Sequence, residues 1–151
     1  LGIFHVELIL SARGPCLIEV NPRLMGGALP NLYYHSTGDD IFEHLIAIHL
    51  GRMPHPARYD QARAATARIV GAKQGGRICD SLPNQWVSEL SNLVIEQRIE
   101  VQAGQSIKRM VNNLSSLGYF QVVASTPAES VERADKVIDL IEARLGLELL
   151  R

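Results

Sequence analysis

The chain has 151 residues, 46% of them hydrophobic and 21% charged, with 15 basic and 16 acidic side chains and a formal net charge of −1. That length suits one ordinary domain or two small ones, and the intermixed charge gives neither the basic field that holds nucleic acid by counterion release nor the polybasic stripe that holds anionic lipid. The longest apolar runs fall far short of the roughly 20 residues a membrane-spanning helix needs, and two cysteines without a CxxC pair form no disulfide framework, which points to a reducing, cytoplasmic setting.

The chain opens Leu1-Gly2-Ile3-Phe4-His5, without Met and already inside an apolar run, as expected of a segment cut from something longer. Residues 1–60 hold all five histidines, whereas 61–151 hold none. Between them, Gly51-Arg52-Met53-Pro54-His55-Pro56 carries two prolines two apart, which disfavours both helix and central strand. A boundary is expected near residue 60, giving units 1–60 and 61–151.

Phe4 to Leu10 and Cys16 to Asn21 read as two strands joined by a hairpin loop, Ser11-Ala12-Arg13-Gly14-Pro15. A hairpin symmetric about Arg13 sets Leu10 opposite Cys16, Glu7 opposite Glu19 and His5 opposite Asn21. Alternation by two then gathers His5, Glu7, Glu19 and Asn21 on one face and Phe4, Val6, Leu8, Ile18 and Val20 on the other, which is free to pack on a core. Opposed like charges on an antiparallel pair are destabilising. A solvated surface hairpin tolerates them, and so does a shared proton, a basic neighbour or a divalent cation between them. Asn21 in phase, Arg23 continuing the alternation and Pro22 stiffening the segment favour the cation, with phosphate held by Arg23.

Leu24 to Leu32 read as a loop. Asp40 then caps a helix, with Glu43 three residues on and Gly51 closing it. Ile41, Leu45 and Ile48, widened by Phe42 and Ile46, form a stripe expected to cover the apolar face of the hairpin. Capping explains the Asp39-Asp40 pair without a metal. In the second unit Ala65–Ala72, Arg77–Cys79, Leu93–Val101 and Tyr119–Ser125 are strand candidates, with Gly75-Gly76 and Ala103-Gly104 as turns. Ile107, Met110, Val111, Leu114 and Leu117 recur at helical spacing before Gly118, so a helix is expected there, with Lys108-Arg109 and Ser115-Ser116 as its exposed polar positions. Thr126-Pro127-Ala128-Glu129 opens another helix whose buried stripe is Val131, Ala134, Ile138, Ile141 and Leu145, ending at Gly146. Trp86, near Pro83, reads either as core or as a partner contact. Strands with two amphipathic helices make a small α+β layer.

Phe4-His5-Val6-Glu7, Leu17-Ile18-Glu19-Val20-Asn21-Pro22-Arg23, Met25-Gly26-Gly27 and Thr37-Gly38-Asp39-Asp40 together resemble the last part of an ATP-grasp domain. The resemblance is to the carboxylate-amine ligases that join amino acids, and more distantly to biotin carboxylase and the purine-pathway ligases. It implies an α+β fold: the C-terminal portion of an ATP-grasp domain, antiparallel strands plus helix, followed by a small α+β subdomain. By that resemblance Glu7 binds one Mg²⁺, Glu19 bridges two Mg²⁺ ions on the ATP phosphates, with Mn²⁺ an alternative, and Asn21 completes the second ion's shell. Arg23 holds the transferred phosphoryl group and an acyl-phosphate intermediate, and Gly26-Gly27 brings backbone amides to the substrate. Metal carboxylates and an arginine are what phosphoryl transfer requires. His5 is read either as a structural histidine or as a substrate contact; His35, His44, His49 and His55 as solvated or capping.

The resemblance further implies ATP, a small carboxylate and an amine as partners; the charge pattern argues against nucleic acid and membrane, and exposed strands cut from a larger sheet favour a homodimer. The opposite lobe of the nucleotide cleft has no counterpart here, so the 151 residues alone are expected to lack turnover. The alternative is a noncatalytic interaction or regulatory module retaining the hairpin. His5-Val6-Glu7 with Pro15-Cys16 also matches the opening of a zinc-deaminase pattern, but Glu19 stands where its second cysteine belongs, and that reading falls.

Overall fold

The computed structural model describes residues 2–55 and 63–151, and the chain divides into two compact units, Leu1–Ala62 and Arg63–Arg151. The point near residue 60 chosen from the prolines lies outside the described residues.

In the first unit, β1 (His5–Ser11) and β2 (Gly14–Asn21) form an antiparallel hairpin. Its loop is shorter than expected. Only Ala12 and Arg13 turn the chain, while Ser11, Gly14 and Pro15 belong to the strands. The Ser11 hydroxyl accepts from the Arg13 N–H at 3.2 Å and donates to the Gly14 carbonyl at 2.9 Å, and Gly14 sits at φ +108°, where a side chain is strained. Leu10 therefore pairs with Pro15, and Cys16 with Ile9, which corrects the Leu10–Cys16 pairing. A bulge then inserts Ile18 as an extra residue in β2, restoring Glu7 opposite Glu19 and His5 opposite Asn21. The short turn and the bulge offset each other by one residue.

α1 (Leu29–Thr37) begins inside the loop expected over Leu24 to Leu32. Its signals are local: Pro30 in the first turn and Gly38 at φ +76° as a left-handed C-cap. α2 (Ile41–His49) begins as expected, with the Asp40 carboxylate accepting from the Phe42 N–H at 2.8 Å. α2 packs beside α1, and none of its residues is buried. The expected covering of the hairpin's apolar face is thus corrected, since Phe4, Val6, Leu8, Ile18 and Val20 are all about half exposed or more. Two strands and two nine-residue helices are too few to enclose a core.

The second unit has its own core. β3 (Ala64–Val70), β4 (Gly76–Arg77), β5 (Glu96–Ile99), β6 (Ser106–Ile107) and β7 (Gly118–Ala124) are followed by α3 (Pro127–Leu145). β7 is central to an antiparallel sheet of order β3-β7-β5, and β4 pairs with β6 in a short ribbon. α3 lies on β3 and β7 and seals Phe120, Val122 and Val70 beneath Ala134, Val137, Ile138, Ile141 and Leu145. Trp86, in a single-turn helix over Trp86–Leu90, is 3% exposed and belongs to this core. Thr126 caps α3 by accepting from the Glu129 N–H, and Gly146 ends it in the left-handed region. Val131 is 41% exposed, so the stripe is corrected: Val137 takes the buried place.

The helix expected over 107–117 is absent. β6 occupies Ser106–Ile107, and a turn over Asn113–Ser115 follows, with Val111 78% and Leu114 97% exposed. The side chains of Asn112 and Ser115 bond to nearby backbone, Asn112 Oδ1 accepting from the Leu114 N–H and Ser115 Oγ from that of Val111. Such local bonds compete with helix. Lys108, Arg109 and Ser116 are consequently not helix positions, and Ser115 belongs only to the short 3-10 turn Asn113–Ser115. Gly118 opens β7 instead of ending a helix: its φ is +135°, and a Cβ there would lie 1.9 Å from the Arg98 carbonyl oxygen.

Candidate functional site

β1 and β2 present His5, Glu7, Glu19 and Asn21 on one face, two cross-strand pairs deep. Within this square, Asn21 Nδ2 donates to Glu19 Oε1, which leaves the Asn21 Oδ1 as an acceptor. His5 Nδ1 stands 3.8 Å from Glu7 Oε1, too far for a hydrogen bond, and this buried nitrogen has no hydrogen-bond partner. Among the described residues neither carboxylate is ion-paired with a Lys or Arg.

The strand alternation stops at Asn21. The Arg23 N–H bonds the Asn21 carbonyl at 2.8 Å in a three-residue turn, and the guanidinium Nη1 bonds the Leu24 carbonyl at 3.0 Å. Arg23 is therefore beyond the strand and not the next member of its face, a correction that follows from Pro22 and the bend it occupies. Gly26 and Gly27 lie between β2 and α1. Gly27 has φ +63°, and a Cβ on Gly26 would meet Arg23 Nη1 at 3.5 Å.

The donor set suits a hard cation. Two carboxylates and one amide oxygen are oxygen ligands of the kind Mg²⁺ accepts while retaining water or phosphate oxygens for the rest of its shell. Among the described residues no group of three or more His, Cys, Asp or Glu side chains forms a self-sufficient cage. A cation held here would draw the rest of its shell from water or from a bound ligand.

A second polar cluster escaped the sequence reading. Asp39 accepts from the Tyr33 hydroxyl at 3.0 Å and engages His44 Nε2 at 2.8 Å, so His44 is neither free nor capping. Asp39 follows Gly38 at the junction of α1 and α2 and ties one helix to the other. Its signal in the sequence is an Asp left over beside a cap, with a His one turn into the helix. His49 Nδ1 bonds the Leu45 carbonyl at 2.9 Å, in keeping with a capping role. Cys16 and Cys79 are free and exposed. The Cys79 thiol is held below its ordinary pKa, chiefly by the Ser81 hydroxyl bonded to it.

No family model matches the sequence. The uncharacterized protein y4rH of Sinorhizobium fredii is 29% identical over 143 residues, which cover 91% of this chain and 29% of that protein. Among solved structures, the L-amino acid ligase from Bacillus licheniformis has a TM-score of 0.70 at 18% identity, covering 99% of this chain and 36% of its own. Phosphoribosylglycinamide synthetase from Anaerococcus prevotii has a TM-score of 0.66 at 16% identity over 97% of this chain and 36% of its own. These enzymes are ATP-grasp ligases. The fold here is the C-terminal part of an ATP-grasp fold. The biotin carboxylase domain of the 2-oxoglutarate carboxylase of Hydrogenobacter thermophilus, solved as a dimer with MgADP, ADP and bicarbonate, shares it at a TM-score of 0.55 and 18% identity, over 97% of this chain and 31% of that one. The chain thus spans about a third of the proteins it matches. No helix among the described residues is long and apolar enough to cross a membrane.

Proposed function

We propose that this chain supplies the metal and phosphate half of an ATP-dependent ligase that joins a carboxylate to an amine, of the kind that links amino acids. The observation that carries this reading is the Glu7–Glu19 cross-strand pair, un-neutralised by Lys or Arg among the described residues and flanked by Asn21, on an ATP-grasp fold. In this reading residues 1–60 form the metal-binding part and 61–151 a C-terminal cap.

Glu7, Glu19 and the Asn21 Oδ1 hold two Mg²⁺ ions, or Mn²⁺ in their place. When bound, the ions neutralise the triphosphate and draw charge from the transferred phosphoryl group. Arg23 keeps further N–H donors beyond the one given to Leu24, and these take the phosphoryl oxygens. The Gly26-Gly27 segment lets backbone N–H groups approach the substrate, since neither glycine carries a side chain into that space. The substrate carboxylate oxygen attacks the γ-phosphorus and ADP leaves, giving an acyl phosphate. The amine nitrogen then attacks the acyl carbon, phosphate leaves, and the nitrogen loses a proton. The reading carries with it a cytoplasmic enzyme, no nucleic-acid or membrane partner, and a homodimer, which the biotin carboxylase dimer supports by analogy.

In the full-length protein, Glu19→Gln is expected to lower amine-dependent release of ADP and phosphate by roughly 10²-fold or more, the scale of losing one preorganised charge stabiliser. Its circular dichroism should be unchanged. Undiminished turnover overturns the assignment. The 151 residues alone are expected to bind MgATP weakly at most in calorimetry and to show no turnover; tight binding would mean that the opposite lobe is dispensable.

A further inference from the structure

We infer that His5 is a positioning residue for Glu7, donating its Nδ1–H to the Glu7 carboxylate as Asn21 donates to Glu19. The inference rests on the metal reading above and adds a residue to it.

The hairpin register makes the four residues a square. Glu7 opposes Glu19, His5 opposes Asn21, and each carboxylate has a nitrogen-bearing side chain two positions away on its own strand and face. On β2 the pairing is made, with Asn21 Nδ2 on Glu19 Oε1. On β1 the equivalent nitrogen, His5 Nδ1, lies 3.8 Å from Glu7 Oε1, about one ångström beyond a hydrogen bond. Nothing else claims it: Nδ1 is buried without a partner, and the Asn21 opposite turns its amide N–H to Glu19 while its Oδ1 is, in the metal reading, a ligand. A buried ring nitrogen without a partner is costly. The His5 side chain is 21% exposed and that of Glu7 49%, so the glutamate is the freer of the two and closes the gap by rotation.

The bond requires no change of charge, only the neutral tautomer that carries its proton on Nδ1. It fixes which Glu7 oxygen turns outward as ligand, the service that hydrogen-bonded partners of ligating carboxylates perform at metal sites. A donor on each strand holds both carboxylates against their mutual repulsion, so that they meet an ion already aimed.

The test uses the full-length protein and Mn²⁺ alone, with free Mn²⁺ read by electron paramagnetic resonance. His5→Leu is expected to weaken binding about 10–100-fold, the range for losing such a partner, whereas His5→Asn, whose amide nitrogen falls where Nδ1 lies, should stay within about threefold of wild type. His5→Gln reaches the place of Nε2 instead and should behave like His5→Leu. A long-range ¹H–¹⁵N spectrum of the neutral ring should show the proton on Nδ1. The inference is overturned if His5→Leu binds like wild type, if Gln rescues and Asn does not, or if the proton is on Nε2. Glu19→Gln separates the two levels. If it abolishes Mn²⁺ binding while His5→Leu does not, only the role of His5 falls; if it leaves binding intact, the metal reading falls and takes this inference with it.

Discussion

Both units are rich in Val, Ile and Leu, yet only one buries them. In the second unit Phe120, Val122, Val70, Ala134, Val137, Ile138, Ile141 and Leu145 are wholly enclosed, because a nineteen-residue helix lies across a three-stranded sheet. In the first, Pro30 is the one buried residue among those described, while Leu10 is 84% exposed and Ile46 60%. The difference lies in layers, not in composition. The first unit carries the carboxylates, the Asn and the Arg; the second carries the stability. A candidate site can thus rest on a hairpin whose own burial contributes little, provided the ladder and its bulge keep the register.

The contrast can be broken most directly by truncating one large side chain in each unit. Phe120→Ala should cost about 3–5 kcal/mol, and Leu8→Ala, already 54% exposed, no more than about 0.5 kcal/mol, in urea unfolding of the 151-residue chain. A Leu8→Ala cost comparable to that of Phe120→Ala would mean that the hairpin face is covered in solution. Glycine substitutions come next. Gly118→Ala must force its Cβ away from the Arg98 carbonyl at an unfavourable φ, and about 1–3 kcal/mol or more is expected. Gly14→Ala has open space, keeps only the backbone strain and should move the global transition less.

Helix caps sharpen the comparison further. Thr126→Ala should lower the stability of the second unit by about 1 kcal/mol. The same chemistry at Asp40→Ala should appear only as faster amide exchange within α2, since little burial couples that helix to the global transition. The smallest effect is one of pH. The Tyr119 hydroxyl donates to Glu96 at 2.6 Å, and that bond, with burial, raises its pKa above the ordinary 10.0. Folding therefore favours the protonated phenol. Its contribution is complete below about pH 10 and fades as pH rises through the raised value. Tyr119→Phe should flatten that alkaline limb of the stability curve.

Much of this was legible in the chain itself. The Glu7–Glu19 and His5–Asn21 pairings follow from the hairpin reading, although for a reason that reading lacked: a turn one residue tighter than symmetry demands is offset by a bulge at Ile18. The ends of α3 are written in Thr126, Pro127 and Gly146. The 107–117 segment misled because its apolar spacing of three and four is helical, while Asn112 and Ser115 supply bonds that the backbone takes instead. α1 was missed because it has little apolar periodicity, only a Pro at its start and a Gly after its end.

The sequence by itself determined the local terms: which residues alternate on the acidic face, where caps and left-handed glycines stop helices, and a motif pattern whose expected fold the solved structures share. Those depend on neighbours within a few positions, whose dihedral preferences and hydrogen bonds are set by residue type. Only the tertiary structure decided which apolar residues form a core, that Trp86 belongs to it, that Arg23 leaves the strand face, and that Asp39 joins Tyr33 to His44. Burial and pairing of that kind depend on whether a second layer arrives to exclude water, and the spacing of residues along one strand or helix does not encode that.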